Sequence, residues 1–149
     1  MTPQRSRIQQ KNRETILDAA LGVFSAHGYR GATLDMIADV AGLSKPNLLY
    51  YFPSKEAVHN ALLTGLLDTW LDPLKAMNPE GEPVAEVLAY VQRKLDLARD
   101  YPRESRLFAG EIIQGAPRLA GVIQTDLRNL VEEKAAVLTR WMDQGRIAR

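Results

Sequence analysis

The stretch from Thr33 to Pro53 leaves this chain little freedom of fold. Thr33 stands before one apolar-periodic run, Leu34 to Ala41, and Ser44 stands before a second, Lys45 to Tyr51. A hydroxyl side chain at such a position accepts from the backbone N–H groups that open a helix. Gly42 lies between the runs and can take the positive φ of a tight turn. Pro46 falls in the first turn of the second run, where its missing N–H costs nothing, and Pro53 closes that run. Two short helices joined through Ala41-Gly42-Leu43-Ser44 form a helix-turn-helix. Ala38 is small enough for the helices to cross closely. Ile37, Val40, Leu43 and Leu48 are suited to hold the pair on a preceding helix, beside Phe24. The second helix then projects Lys45, Asn47, Tyr50 and Tyr51, a set that fits a DNA major groove. The alternative is an ordinary buried hairpin. Against it, two adjacent tyrosines on so short a helix cannot both face inward, and Lys45 and Lys55 would be buried with them.

The rest of the chain also reads as helix, so the fold class is all-α. No stretch alternates apolar and polar residues long enough for a strand, and no dipeptide marks a hairpin. The first helix is predicted from about Lys11 to His27, with Ile16, Leu17, Ala20, Leu21 and Phe24 on one face and Gly28 as its stop. Ser54 caps a longer helix towards Met77, with Glu56 near the positive end of its dipole. Pro73 is expected to kink or interrupt it. Residues 78–83 are the clearest loop. Further helices are predicted over about Pro83–Arg99, Glu104–Gln114 and Leu119–Gln144. The first of these carries Val87, Leu88, Val91, Leu95 and Ala98 on one side. The last carries Val122, Ile123, Leu127, Leu130, Val131, Leu138, Trp141 and Met142 mostly on one stripe. The expected division is a helix-turn-helix domain with a basic N-terminal arm over residues 1–53 and a second helical domain over 54–149.

Charge is unevenly placed. Residues 1–55 hold seven Lys/Arg against four Asp/Glu, and residues 56–149 hold 12 against 14. Arg5, Arg7, Lys11 and Arg13 precede any acid. A basic end on a near-neutral body points to an anionic partner, although charge alone leaves a solvated tail equally open. This arm either enters a minor groove or thickens the electrostatic contact. The chain has no Cys, which excludes disulfides and thiol chemistry. No secretory signal or membrane-spanning run is read, so a soluble cytoplasmic protein with no membrane partner is expected. His27 and His59 are isolated, with no metal-ligand spacing around them. There is no nucleophile elbow and no phosphate-cradling glycine loop, so neither an enzyme nor a cofactor is expected.

The motif Thr33-(three residues)-Ile37-Ala38-(two)-Ala41-Gly42-Leu43-Ser44-(three)-Leu48-(one)-Tyr50-Tyr51-Phe52-(two)-Lys55-Glu56 resembles the TetR family of transcriptional repressors. Ile16-Leu17-(two)-Ala20-(two)-Val23-Phe24-(three)-Gly28-Tyr29 fits that family's first helix, so the likeness covers about residues 10–60. The resemblance implies DNA contacts at Thr33, Leu34, Ser44, Lys45, Pro46, Asn47, Leu49, Tyr50, Tyr51 and Lys55. The family commonly has Tyr where this chain has Leu49, so the base read from that position stays open. Residues 47–57, Trp70-Leu71-Asp72-Pro73-Leu74-Lys75-Ala76 and Arg99-Asp100-Tyr101-Pro102-(two)-Ser105-Arg106-Leu107-Phe108 are similar to the family's pyrimidine-utilisation regulator branch. That likeness implies a homodimer on a palindromic double-stranded operator, released or retuned by a small effector such as uracil or thymine.

A pyrimidine dione alternates donors and acceptors, so its site needs convergent polar groups on an apolar background. Arg106, Glu111 and Gln114 are the polar candidates, with Glu111 expected beside Leu107, Phe108 and Gln114 at helical spacing. Trp70 and Phe108 are candidate aromatic walls, with Trp141 as a further possibility. Plain core for the aromatics and plain solvent for Arg106 and Glu111 remain the alternatives. The family resemblance also implies two further helices beyond Arg149, forming most of the dimer interface, so the chain reads as lacking them. The stripe Leu127, Leu130, Leu138 and Trp141 is then expected to be partly exposed. A second functional reading is an interaction protein that pairs with a full-length regulator and modulates it.

Overall fold

A computed structural model describes residues 3–123 and 126–149. Among them lie eight helices: α1 Pro3–Gly31, α2 Leu34–Ala41, α3 Lys45–Tyr51, α4 Lys55–Lys75, α5 Pro83–Asp100, α6 Pro102–Ile113, α7 Ala120–Ile123 and α8 Asp126–Asp143. The side chains of Arg5, Val122 and Ile123 lie outside the described residues, as do residues 124 and 125 in the middle of the last predicted helix.

Each local signal around the helix-turn-helix appears in place. The Thr33 hydroxyl accepts from Met36 N at 3.2 Å and the Ser44 hydroxyl from Asn47 N at 3.3 Å. Gly42 takes φ 67°, and its N–H closes α2 on the Ala38 and Asp39 carbonyls. Ser54 caps α4 through Ala57 N at 3.1 Å. At Gly28 the backbone leaves the helix with φ 69° and ψ 175°, then makes one more turn to Gly31.

α1 is the axis of the core and packs against α2, α4 and α6, while α4 also meets α5 and α8. Ile16, Ala20 and Phe24 of α1 join Ile37 and Ala38 of α2, Leu48 of α3, Val58 and Leu63 of α4, and Leu107 and Phe108 of α6 in one buried cluster. Residues on both sides of the expected 53/54 boundary belong to it. Each of the larger side chains among them contributes about 1.5–3 kcal/mol on leaving water. A smaller cluster, Met77, Val137 and Trp141, joins the end of α4 to α8.

Several expectations need correction. α1 begins at Pro3, eight residues before the predicted start, so the basic arm is helical over its described length and not an extended strap. Val40 is 66% exposed, because Ile37 and Ala38 already fill the face that α2 turns to α1. Pro73 does not interrupt α4; it sits in the last turn, where it removes a single ladder bond. Trp141 is fully buried, and its indole N–H donates to the Pro79 carbonyl at 3.1 Å. Leu127, Leu130 and Leu138 are half-buried. The apolar side of α5 is uncovered: Leu88 is 63% and Leu95 60% exposed, since the helix touches α4 and α6 with its other side.

Candidate nucleic-acid interface

α3 seals one residue and displays the others. Leu48 is fully buried beneath it, while Ser44, Lys45, Pro46, Asn47, Leu49 and Tyr50 are exposed. Tyr50 is 70% exposed, and Tyr51 is half-buried with its ring edge-to-face on Tyr50 at 5.1 Å between centroids. The helix therefore projects a cation, an amide and a phenol away from the protein. Thr33 at the head of α2 is also exposed, whereas Leu34 turns inward and packs on the core.

Lys45 Nζ lies 2.9 Å from Asp35 Oδ2, with both side chains largely in solvent. A pair of that kind holds weakly and can be exchanged for a phosphate or a base. Lys55 is different. Its ammonium donates to the Tyr29 carbonyl at 2.7 Å and the Ala32 carbonyl at 3.0 Å, and lies 4.4 Å over the Tyr29 ring. It pins the start of α4 to the α1–α2 connection and does not present its charge beside Lys45.

Sequence reasoning missed the contribution of α1. Gln9 Nε2 donates to the Tyr50 hydroxyl oxygen at 3.2 Å, Asn12 Nδ2 to the Tyr51 hydroxyl oxygen at 3.1 Å, and the Arg13 guanidinium lies 5.2 Å over the Phe52 ring. The usable signal was the absence of any breaker between Pro3 and Gly22, which permits a longer first helix.

The effector candidates separate into two groups. Trp70 and Phe108 pack on one another at 5.6 Å, with Lys94 Nζ donating to the Trp70 carbonyl at 2.6 Å. Burial lowers the Lys94 pKa from its ordinary value. Arg106, Glu111 and Gln114 instead line a cavity of about 40 Å³ with Leu107, Tyr29 and His59, between α1, α4 and α6. Phe108 does not line that cavity; it packs on Trp70 and joins the core. Glu111 is 3% exposed and does not face water. It accepts from Arg118 N at 2.7 Å and pairs with Arg118 Nη1 at 3.2 Å, and that guanidinium lies 3.5 Å over the Tyr29 ring. His59, 2% exposed, meets the Phe24 and Tyr29 rings edge-on at 4.8 and 4.9 Å. Desolvation lowers its pKa to about 4; Glu111 opposes that shift, and Arg118 and Lys55 reinforce it. No local pattern marks His59 or Arg118, since their partners lie on other elements. Among the described residues no three His, Asp or Glu side chains gather as a metal site, and no helix is long and apolar enough to cross a membrane.

The profile of bacterial regulatory proteins of the tetR family matches residues 16–62, and that of the C-terminal region of YcdC-like proteins matches residues 63–149. The HTH-type transcriptional regulators RutR of Escherichia coli K12 and of Shigella flexneri are each 46% identical over 147 residues, covering 99% of this chain and 69% of theirs. A TetR-like transcriptional regulator from Rhodococcus sp. RHA1 shares the fold, with a TM-score of 0.74 at 24% identity over 91% of this chain and 73% of that one. The fatty acid degradation regulator FadR from Bacillus halodurans matches with a TM-score of 0.69 at 22% identity, over 99% of this chain and 72% of its own. These matched proteins are regulators and not enzymes. The chain belongs to the TetR family of bacterial regulatory proteins and is a DNA-binding transcriptional regulator.

Proposed function

We propose that this protein is a cytoplasmic repressor that reads a palindromic operator as a homodimer and changes its operator affinity when a small ligand binds. The reading is carried by one observation: α3 buries Leu48 and leaves Lys45, Asn47, Leu49 and Tyr50 in solvent. Those four reach base edges, with Ser44, Pro46, Tyr51 and Thr33 at the backbone. Paired recognition helices then sit about 34 Å apart, one turn of the duplex. Residues 1–53 act as the reader and 54–149 as the effector domain.

A pyrimidine such as uracil or thymine is the proposed effector, on the strength of the branch resemblance. Arg106, Glu111 and Gln114 hold its donors and acceptors. The cavity beside them has room for about one water, so a ring enters only by displacing Arg118 from Glu111. That displacement frees Tyr29 and the α1–α4 junction, which is how occupancy alters the set of the reader helices.

The test has two arms. Selection from random-sequence duplexes should enrich a two-fold symmetric site, and enrichment of none removes the DNA reading. Titration with uracil and thymine should raise the melting temperature, and no shift with either removes the pyrimidine assignment. The uncovered side of α5 favours one second reading, a protein that pairs with another regulator. Size-exclusion chromatography separates the two, since a tight symmetric dimer of this chain alone counts against that alternative.

A further inference from the structure

From Gln4 to Thr15, no side chain whose exposure is described is buried, so packing into the core does not account for this half of α1. Its inward polar groups instead meet the recognition helix, through the Gln9–Tyr50 and Asn12–Tyr51 hydrogen bonds. Gln9 and Asn12 are three apart and share a helix face. In both bonds the amide N–H donates and the phenol oxygen accepts. A phenol has one proton of its own to place. With an amide N–H occupying a lone pair, that proton points elsewhere, and among the described residues neither hydroxyl donates to a protein acceptor.

We propose that Gln9 and Asn12 are positioning residues that set the hydrogen-bond polarity of Tyr50 and Tyr51, presenting both phenols to the duplex as donors. The partner atoms on DNA are therefore acceptors: guanine N7 or O6, adenine N7 or thymine O4 in the major groove, or a phosphate oxygen. The assignment rests on the DNA-binding reading and adds a rule to it, because adenine N6 and cytosine N4, both donors, are disfavoured opposite these hydroxyls.

A double-mutant cycle on the full chain tests it, using a duplex enriched from a random-sequence pool and a scrambled duplex of equal length. Asn12→Leu and Tyr51→Phe should each weaken binding to the enriched duplex about fivefold and, because Tyr51 lies at the backbone, to the scrambled one as well. The double variant should be no weaker than Tyr51→Phe alone. Gln9→Met with Tyr50→Phe gives an independent cycle at an exposed pair, should Asn12→Leu fail to fold. Asn12→Asp, whose carboxylate takes the Tyr51 proton, should weaken binding further than Asn12→Leu does. Replacing guanine or adenine by its 7-deaza analogue, guanine by 2-aminopurine, thymine by an analogue without O4, or single phosphates by methylphosphonates should abolish the tyrosine-dependent increment in one series, which names the acceptor. Additive losses in both cycles, or an increment that survives every series, overturn the assignment. A wild-type chain that enriches no duplex overturns the DNA-binding reading and this assignment with it.

Discussion

His59 shows how one buried group ties stability to pH. Its imidazole lies between the rings of Phe24 and Tyr29, with Glu111, Arg118 and Lys55 as the charged neighbours. Burial drops its pKa from 6.5 to about 4, so the folded state keeps it neutral while the unfolded chain protonates it. The unfolded state then binds more protons between those values. Stability is fully present above about 6.5, and roughly 3 kcal/mol is lost as pH falls to about 4. Urea denaturation across that window should show the slope, and His59→Gln should remove most of it; an unchanged slope refutes the assignment. Lys55 gives a second prediction. With its ammonium on two backbone carbonyls, Lys55→Ala should cost about 2 kcal/mol and leave the salt dependence of DNA binding as it is. A flattened salt slope with unaltered stability would return Lys55 to the phosphates. Neither role was legible in the sequence, because the carbonyls that hold Lys55 and the rings that enclose His59 are at least 23 positions away.

Two glycines on neighbouring elements should respond in opposite directions. Gly42 ends α2 at φ 67°, a conformation that strains any Cβ, so Gly42→Ala should cost about 1 kcal/mol. Gly65 lies on the exposed side of α4 with open space where a Cβ would go, so Gly65→Ala should stabilise by about 1 kcal/mol. Thermal unfolding should record shifts of about 2–4 °C each way, and shifts of the same sign would contradict the backbone account. Helix boundaries were legible wherever a cap or breaker is local: α2 and α3 match residue for residue. The start of α1 was not, since its first turns have no apolar stripe and are held by contacts with α3, 41 and 39 positions on.

On the scale of the whole molecule, the helix-turn-helix and α4 and α6 share one core with α1, with Phe24, Ile37 and Leu48 continuous with Val58, Leu63 and Leu107. The helix-turn-helix should therefore not unfold ahead of α4. Hydrogen exchange at Ile37–Ala38 and Leu62–Leu63 should report equal opening free energies, and a clearly lower value in α2 would show an independent unit. The Glu111–Arg118–Tyr29 contacts join the segment after α6 to α1 in the same body. By contrast, the periodic stripe on α5 identified an apolar face correctly but not whether anything covers it, because periodicity describes one helix and cover depends on its neighbours.

What the amino-acid order settled alone was everything within a turn or two of itself: the caps at Thr33, Ser44 and Ser54, the Gly42 turn, and the face of α3 that carries Tyr50. Those outcomes depend on backbone sterics and on hydrogen bonds spanning three or four residues. Whether Lys55 meets solvent or a carbonyl, whether Glu111 faces water or Arg118, and what stands behind the two tyrosines were decided when distant helices packed. Burial and the pairing of charges depend on which surfaces meet, and that is a property of the assembled core.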